Sequence, residues 1–323
     1  MIATMVFSFM LGVTSLSNSV FLTLEDLAKN DPKQAVQLYQ QTLKREDLSL
    51  VQLYRLHYLA IRASAQVYDN KTLISAINEL KKPQYSEQVS ENKAKILSNI
   101  GVAYRLREQN KAAVTYYRCA LELAEKRQYK SAIKINIAIA YTRMGQPAIG
   151  YNLLTGIEQQ FLPDFMRAGL STALGNAATA IGKIDQALQH YNRAIELYAN
   201  SNNQRAIKLV SLNSAGLYLI NRDLNAYEQA MATLADDEEI NQTRANYLTW
   251  LREVAKQLVQ SPNRQTLVLS DTMATALQQV ASETFANIVN AHIAAFDIPT
   301  VAVQEQIPER DPLPLNLTPQ WCQ

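Results

Sequence analysis

Residues 97–120 read LSNIGVAYRLREQNKAAVTYYRCA, and this stretch decides the fold class. Leu97, Gly101 and Tyr104 stand three or four positions apart, which places them on one face of a helix. A polar turn at residues 107–111 separates this face from a second one of the same kind. The stretch therefore predicts two antiparallel helices that pack through small and large residues. The residues of the second face are Ala113, Tyr117 and Ala120.

The pattern returns at intervals of 37 residues. One step forward gives Tyr141 on the first helix of the next pair, and two steps give Gly175. Weaker copies are centred on Ser64 and Ala215. A fixed period of roughly 20 to 50 residues indicates stacked repeats, because one helix pair cannot bury its apolar face alone. On the second helix of the pair that contains Gly175, the matching residues are Ala187, Tyr191 and Ala194.

Glycine has two separate uses in this pattern. Gly101 and Gly175 let the two helices of a pair approach closely, and a large residue such as tyrosine fills the volume beside the crossing. Gly145 and Gly182 lie in the turns between helices, where glycine adopts a left-handed backbone without strain. The repeat therefore specifies both the packing of each pair and the turn that joins its helices.

The order of a small residue and a tyrosine, followed by Ala, aromatic and Ala on the next helix, resembles the tetratricopeptide repeat (TPR) of bacterial exported proteins. The resemblance covers roughly residues 50–235 and is best kept in 101–120 and 175–194. The period of 37 rather than 34 and the missing closing proline depart from that family. The resemblance implies an all-α, right-handed superhelical solenoid of antiparallel helix pairs. It also implies a concave groove, lined by the first helix of each pair, that holds a protein or an extended peptide.

Three asparagines recur in phase on the predicted first helices. Asn99, Asn136 and Asn213 each stand five residues before a tyrosine. A side-chain amide both donates and accepts, so it can hold the backbone of an extended peptide whatever its sequence. The alternative is that these amides bond to neighbouring repeats or to water. The expected groove residues are completed by Asn176, Arg105 and Arg143.

The predicted repeat domain spans residues 20–260 and follows a predicted signal peptide at residues 1–19. Residues 5–16 form an apolar run that is too short to span a bilayer and that precedes small, polar residues. No basic residue precedes this run, so a hydrophobic helix at the end of the array is the alternative. We expect export, to the periplasm, with a cytoplasmic location as the other possibility. Membrane contact is expected only through a partner or an uncleaved amino terminus.

Two further segments follow the predicted repeat domain. Residues 261–296 contain an Ala-rich helix, about 271–296, that we expect to cap the open apolar end of the array. The tail, residues 297–323, holds five of the ten prolines and cannot be helical throughout. It is predicted to be an extended, polyproline-like segment that lies on the surface, binds a partner or has no fixed position.

Composition excludes several classes of function. The chain carries 31 basic and 29 acidic side chains, and this balance argues against a nucleic acid partner. Cys119 and Cys322 are too few for a metal cluster, and they neither require nor exclude a disulfide. The sequence favours a plain buried thiol for Cys119. No metal or cofactor is expected.

The sequence offers little for catalysis. It contains no Gly-rich phosphate loop, no metal-binding histidine pair and no serine elbow. His57, His190 and His292 stand singly on predicted helices, and we expect two of them at the surface. We therefore expect a non-enzymatic scaffold that binds protein. The alternative is a sensory or regulatory TPR module that acts on a separate membrane signalling partner.

Overall fold

The computed structural model describes residues 18–234, 242–261, 265–279, 283–299 and 311–322. The regular secondary structure of these residues is helical, without strands. The residues fall into two compact units. Unit 1 consists of residues 1–123 together with 311–323, and unit 2 of residues 124–310. The predicted signal peptide lies outside the described residues except for its last two, which begin the first helix.

Unit 1 contains three helix pairs, and the third pair includes the stretch quoted above. The helices are α1 (Asn18–Asn30), α2 (Pro32–Thr42), α3 (Leu50–Gln66), α4 (Asn70–Leu80), α5 (Ser86–Leu106) and α6 (Asn110–Leu123). Local signals fix several helix starts. The Asp31 side chain accepts a hydrogen bond from the Gln34 amide, and Ser49 and Gln52 form a reciprocal capping box.

Unit 2 continues with three more pairs and ends in three further helices. These are α7 (Arg127–Arg143), α8 (Pro147–Thr155), α9 (Asp164–Ala180), α10 (Ile184–Asn200), α11 (Gln204–Ile220), α12 (Leu224–Ala232), α13 (Gln242–Gln260), α14 (Asp271–Gln279) and α15 (Glu283–Ala295). The helices α6, α8 and α10 begin at residues 110, 147 and 184, which reproduces the predicted period of 37. The second helix of the next pair begins at Leu224, so that interval is three residues longer.

The close approach of helices at glycine is confirmed in both units. In unit 1 a Cβ added to Gly101 would lie 2.6 Å from Cε1 of Tyr117, and in unit 2 the Tyr191 ring covers Gly175 in the same way. The tyrosine of the second helix therefore lies directly over the glycine of the first. All the predicted repeat residues are buried except Tyr141, which is half-buried.

The carboxyl-terminal helices differ from the prediction. The single helix expected over residues 271–296 is two helices, α14 and α15, with residues 280–282 outside the description. α14 packs against α13, and α15 lies against the first helices α9 and α11. Gly216 of α11 permits this contact, since a Cβ at that position would collide with Ile288 of α15. It would also collide with the Tyr247 hydroxyl of α13. That the segment 261–296 caps the array stays a prediction.

Within the described part of the chain, no helix combines the length and the apolar character that a membrane span requires.

Candidate peptide-binding surfaces

Two of the three predicted groove asparagines of unit 2 bond to one another across neighbouring repeats. Asn213 on α11 donates from Nδ2 to Oδ1 of Asn176 on α9, at 3.3 Å, and the Tyr191 hydroxyl donates to the same oxygen at 2.8 Å. Asn213 is only 1% exposed. The expectation that Asn213 faces an open groove is therefore wrong, because the amide ties α11 to α9. Asn176 keeps partial exposure.

The two predicted groove residues of unit 1 also have neighbours in their own unit. Asn99 of α5 lies near the Tyr58 hydroxyl of α3; burial raises the pKa of Tyr58, and the nearby Asn99 amide opposes that rise. The Asn99 Nδ2 atom is itself buried without a hydrogen-bond partner. Arg105 donates from Nε to the Tyr117 hydroxyl at 3.3 Å. Both Asn99 and Arg105 remain half-buried, so part of each side chain can still meet a ligand.

Asn136 and Arg143 complete the predicted set. They lie seven residues apart on α7, hence two turns apart on one face, and both are half-buried. Of the six predicted groove residues, five thus keep some exposure to solvent. Their contact with a ligand stays a prediction.

A different surface of unit 1 holds a carboxyl-terminal segment of the chain itself. Residues 311–322, here called the strap, have no regular secondary structure at 311–314, turn and bend at 315–318, and end in a short 3-10 helix at Pro319–Trp321. The strap lies against the beginning of α4, the end of α5 and residues of α6. Side chains of these helices and of the turn between α5 and α6 form hydrogen bonds with the backbone of the strap.

Gln109, in the turn between α5 and α6, makes two bonds to one strap residue. Its Nε2 donates to the Leu313 carbonyl at 2.8 Å, and its Oε1 accepts from the Leu313 amide at 2.7 Å. A neighbouring strand would pair with Leu313 in the same manner. The amide of Gln109 therefore recognises an extended backbone and not a particular side chain.

Three more side chains bond to the strap backbone. Asn70 Nδ2 donates to the Asp311 carbonyl at 3.0 Å, and Asn70 is itself held by Arg107 Nε at 2.7 Å. The Tyr104 hydroxyl donates to the Pro314 carbonyl, and the Tyr116 hydroxyl accepts from the amide of residue 318 at 3.1 Å. The two tyrosine rings stack with centroids 5.0 Å apart, which aligns both hydroxyls toward the strap.

The strap also buries apolar side chains at a regular spacing. Leu313, Leu317 and Trp321 are four residues apart, and their exposed fractions are 2%, 5% and 8%. Burial of a large apolar side chain stabilises by about 1.5–3 kcal/mol. Packing and backbone hydrogen bonding thus act together on one twelve-residue segment.

A disulfide fixes the end of the strap to α6. Cys119 and Cys322 are bonded, with their Cα atoms 5.5 Å apart. Cys119 is buried, whereas Cys322 is exposed. The sequence left this pairing open and favoured a plain buried thiol for Cys119, and that preference is wrong.

Sequence reasoning missed the residues that hold the strap. Gln109 lies in the segment that was predicted as a polar turn, and Tyr116 is not among the predicted repeat residues. Only the even number of cysteines and the prolines of the tail gave a signal that this segment could be held in place.

Two of the three histidines are buried, and His190 is half-buried. His57 shares a hydrogen bond with the Tyr39 hydroxyl at 3.1 Å, and burial lowers the pKa of His57. His292 lies between Trp250 and the Gly216 carbonyl. The expectation that two of the three histidines lie at the surface is therefore wrong. Among the described residues, no three His, Cys, Asp or Glu side chains are grouped so that they could hold a metal ion.

Comparison with known proteins extends these findings at the level of the fold. No family model matches the sequence, and no curated protein matches it. The crystal structure of the apo form of RapI is similar to this chain, with a TM-score of 0.53 over 86% of each chain and 15% sequence identity. The chain has a helical repeat fold. At that identity the likeness concerns the fold alone.

Proposed function

We propose that this chain is a non-enzymatic scaffold that holds a protein partner through a segment in extended form. The observation that carries the proposal is the binding of the strap in unit 1. There a surface built from repeat helices holds a segment that lies outside the α-helices, through side chains that bond its backbone. A surface of this kind accepts many sequences, which suits a scaffold.

The proposal includes the arrangement of the repeats. Antiparallel pairs with a period of 37 residues and the glycine–tyrosine crossing support a TPR-like right-handed solenoid. Its first helices would present Asn99, Arg105, Asn136, Arg143 and Asn176 to the partner, and the partial exposure of these side chains supports their inclusion.

We further propose that the protein is exported to the periplasm. The disulfide between Cys119 and Cys322 supports this location, since disulfides persist in oxidising compartments and are rare in the cytosol. Fractionation of the native host, followed by sequencing of the mature amino terminus, tests the proposal. Recovery of the chain in the cytosol with its first residues intact would overturn it.

A random-peptide display screen on the immobilised full-length chain tests the scaffold function. We expect selected peptides to bind the parent and to lose at least about tenfold in affinity, or about 1.4 kcal/mol, on the Asn99→Ala/Asn136→Ala variant. The matched control is Asn152→Ala, because Asn152 is exposed on the second helix α8. Equal loss in both variants would remove the groove from the proposal. Failure to select any peptide, with the disulfide intact or reduced, would overturn the scaffold function.

A further inference from the structure

We propose that the α4–α6 surface of unit 1 is a binding site for an apolar peptide segment that adopts the backbone path of the strap. The strap occupies this site as an internal ligand and vacates it when the Cys119–Cys322 disulfide is reduced. The inference rests on the proposed scaffold function and assigns it a second site and a means of control. The site differs from the predicted groove, because its contacts come from Asn70, Gln109 and Tyr116 rather than from the in-phase asparagines.

The contacts define the class of ligand. Four surface side chains bond to the strap backbone, so a segment of another sequence can satisfy them if its main chain follows the same path. The side-chain requirement is an apolar residue at every fourth position, as in Leu313, Leu317 and Trp321. Within the described residues 311–322, the amides of residues 313 and 318 donate to the surface side chains. Prolines, which lack that donor, are therefore tolerated at 312, 314 and 319.

The disulfide is placed so that it can be opened. Cys322 is exposed, so a thiolate of a dithiol reductant can attack its Sγ, while Cys119 is buried. The attack forms a mixed disulfide with Cys322 and breaks the Sγ–Sγ bond, and the electron pair passes to Cys119 Sγ, which takes up a proton. The second thiol of the dithiol then attacks the mixed disulfide. Cys322 leaves as a thiol and the reductant becomes a cyclic or intramolecular disulfide, so two electrons and two protons are transferred in all.

Reduction changes how the strap is held. With the bond intact, the strap is fixed at its end by a covalent link to α6. After reduction, the strap is held by the hydrogen bonds and the three buried side chains. Whenever these contacts break, the end of the strap can now leave the surface. A competing segment gains access in proportion to the open fraction.

Hydrogen exchange on the full-length chain measures the release directly. The amides of Leu313 and Thr318 donate to Gln109 and Tyr116, so they are protected while the strap is bound. We expect reduction by a small dithiol to speed their exchange by at least about tenfold, with amides of α3 unchanged. The Cys322→Ser variant should exchange fast without reductant and should not respond to it. Release would be overturned if Cys322→Ser left the exchange of these two amides as slow as in the oxidised parent. It would also be overturned if reduction sped exchange in α3 by the same factor.

A peptide added in trans tests whether the vacated surface is a site. The probe is fluorescein-labelled peptide 311–322 with Cys322→Ser. We expect it to bind the full-length Cys322→Ser/Leu317→Asp variant at least about tenfold more tightly than the oxidised parent, because Asp in the strap weakens the internal ligand. The same probe carrying Leu317→Asp should bind the variant at least about tenfold more weakly.

The outcomes separate this site from the scaffold function. Release of the strap without binding of the probe, or equal binding of both probes, overturns the site. If the display screen nevertheless yields peptides that depend on Asn99 and Asn136, the scaffold function stands and only this inference fails. Gln109→Ala, added to the Cys322→Ser/Leu317→Asp variant, should weaken probe binding by at least about tenfold, since it removes both bonds to residue 313.

Discussion

At the residue scale, two glycines of α9 make a matched pair for testing the repeat packing. A Cβ at Gly175 would collide with the buried Tyr191 ring, whereas a Cβ at Gly169 meets nothing within 4 Å. We expect Gly175→Ala to destabilise the fold by about 1–3 kcal/mol, the usual cost of overpacking. Gly169→Ala should stabilise it by up to about 1 kcal/mol through helix propensity. Urea unfolding of both variants decides the matter, and equal shifts would contradict the glycine–tyrosine crossing.

His292 is the residue that links the stability of unit 2 to pH. Trp250 Nε1 donates to its Nδ1 at 2.9 Å, so the ring proton must lie on Nε2, which donates to the Gly216 carbonyl at 2.6 Å. Burial lowers the pKa of His292 from 6.5 to about 4, while the bond to Gly216 opposes the shift. A proton added at Nδ1 would face the indole N–H, so the folded state resists protonation.

The sign of the pH effect follows from this lowered pKa. The unfolded chain takes up the proton near pH 6.5 and the folded chain only near pH 4, so stability is full above pH 6.5 and falls as the pH drops between those values. We expect His292 to remove about 2 kcal/mol of unfolding free energy between about pH 7.5 and about pH 5. His57 and His190, whose pKa values are also lowered, act in the same direction.

The check is urea unfolding at both pH values for the parent and for His292→Gln. Gln offers an acceptor and a donor in place of the two ring nitrogens but does not titrate. Its loss of stability on acidification should be smaller than that of the parent by about 2 kcal/mol. Parallel losses would show that His292 has no lowered pKa.

At the scale of the element, the turns test whether backbone conformation alone sets the repeat. Glu108, Gly145 and Gly182 stand 37 residues apart in three successive turns, with φ of 63°, 73° and 75°. A Cβ at Gly145 meets nothing within 4 Å, so only the left-handed backbone opposes a side chain there. We expect Gly145→Ala to cost about 1 kcal/mol.

Gly156, at the end of α8, is the control for this turn. Its φ is −78°, and its nearest contact for an added Cβ lies at 3.6 Å. Gly156→Ala should therefore change stability by no more than about 0.5 kcal/mol. Thermal unfolding followed by circular dichroism compares the two variants. A larger loss at Gly156 than at Gly145 would contradict the role of the left-handed turn.

Most elements could be predicted from the sequence because their signals are local. The start of α2 follows from Asp31 and Pro32, and the burial of Tyr117 follows from the helical period. α15 is different, since its place depends on the contact between Ile288 and Gly216, which are 72 residues apart. Periodicity shows that a helix has an apolar face, but it does not show which helix covers that face.

At the scale of the whole molecule, the candidate site was the least predictable part. Gln109 and Leu313 are 204 residues apart, and nothing in either local sequence marks the other as its partner. Asn213 was predicted as a ligand contact from its recurrence, yet it bonds Asn176. Recurrence in a repeat does not distinguish a bond between repeats from a bond to a ligand, because both repeat with the same period.

The disulfide gives the chain a topology that its linear sequence conceals. Cys119 and Cys322 are 203 residues apart, so the polypeptide between them is a closed covalent ring that carries all of unit 2. One protease cut within residues 124–310 opens the ring without dividing the molecule. On a gel without reductant the nicked protein should migrate as a single species of undiminished mass, and with reductant as two fragments. A nicked molecule would stay in one piece until it met a reductant.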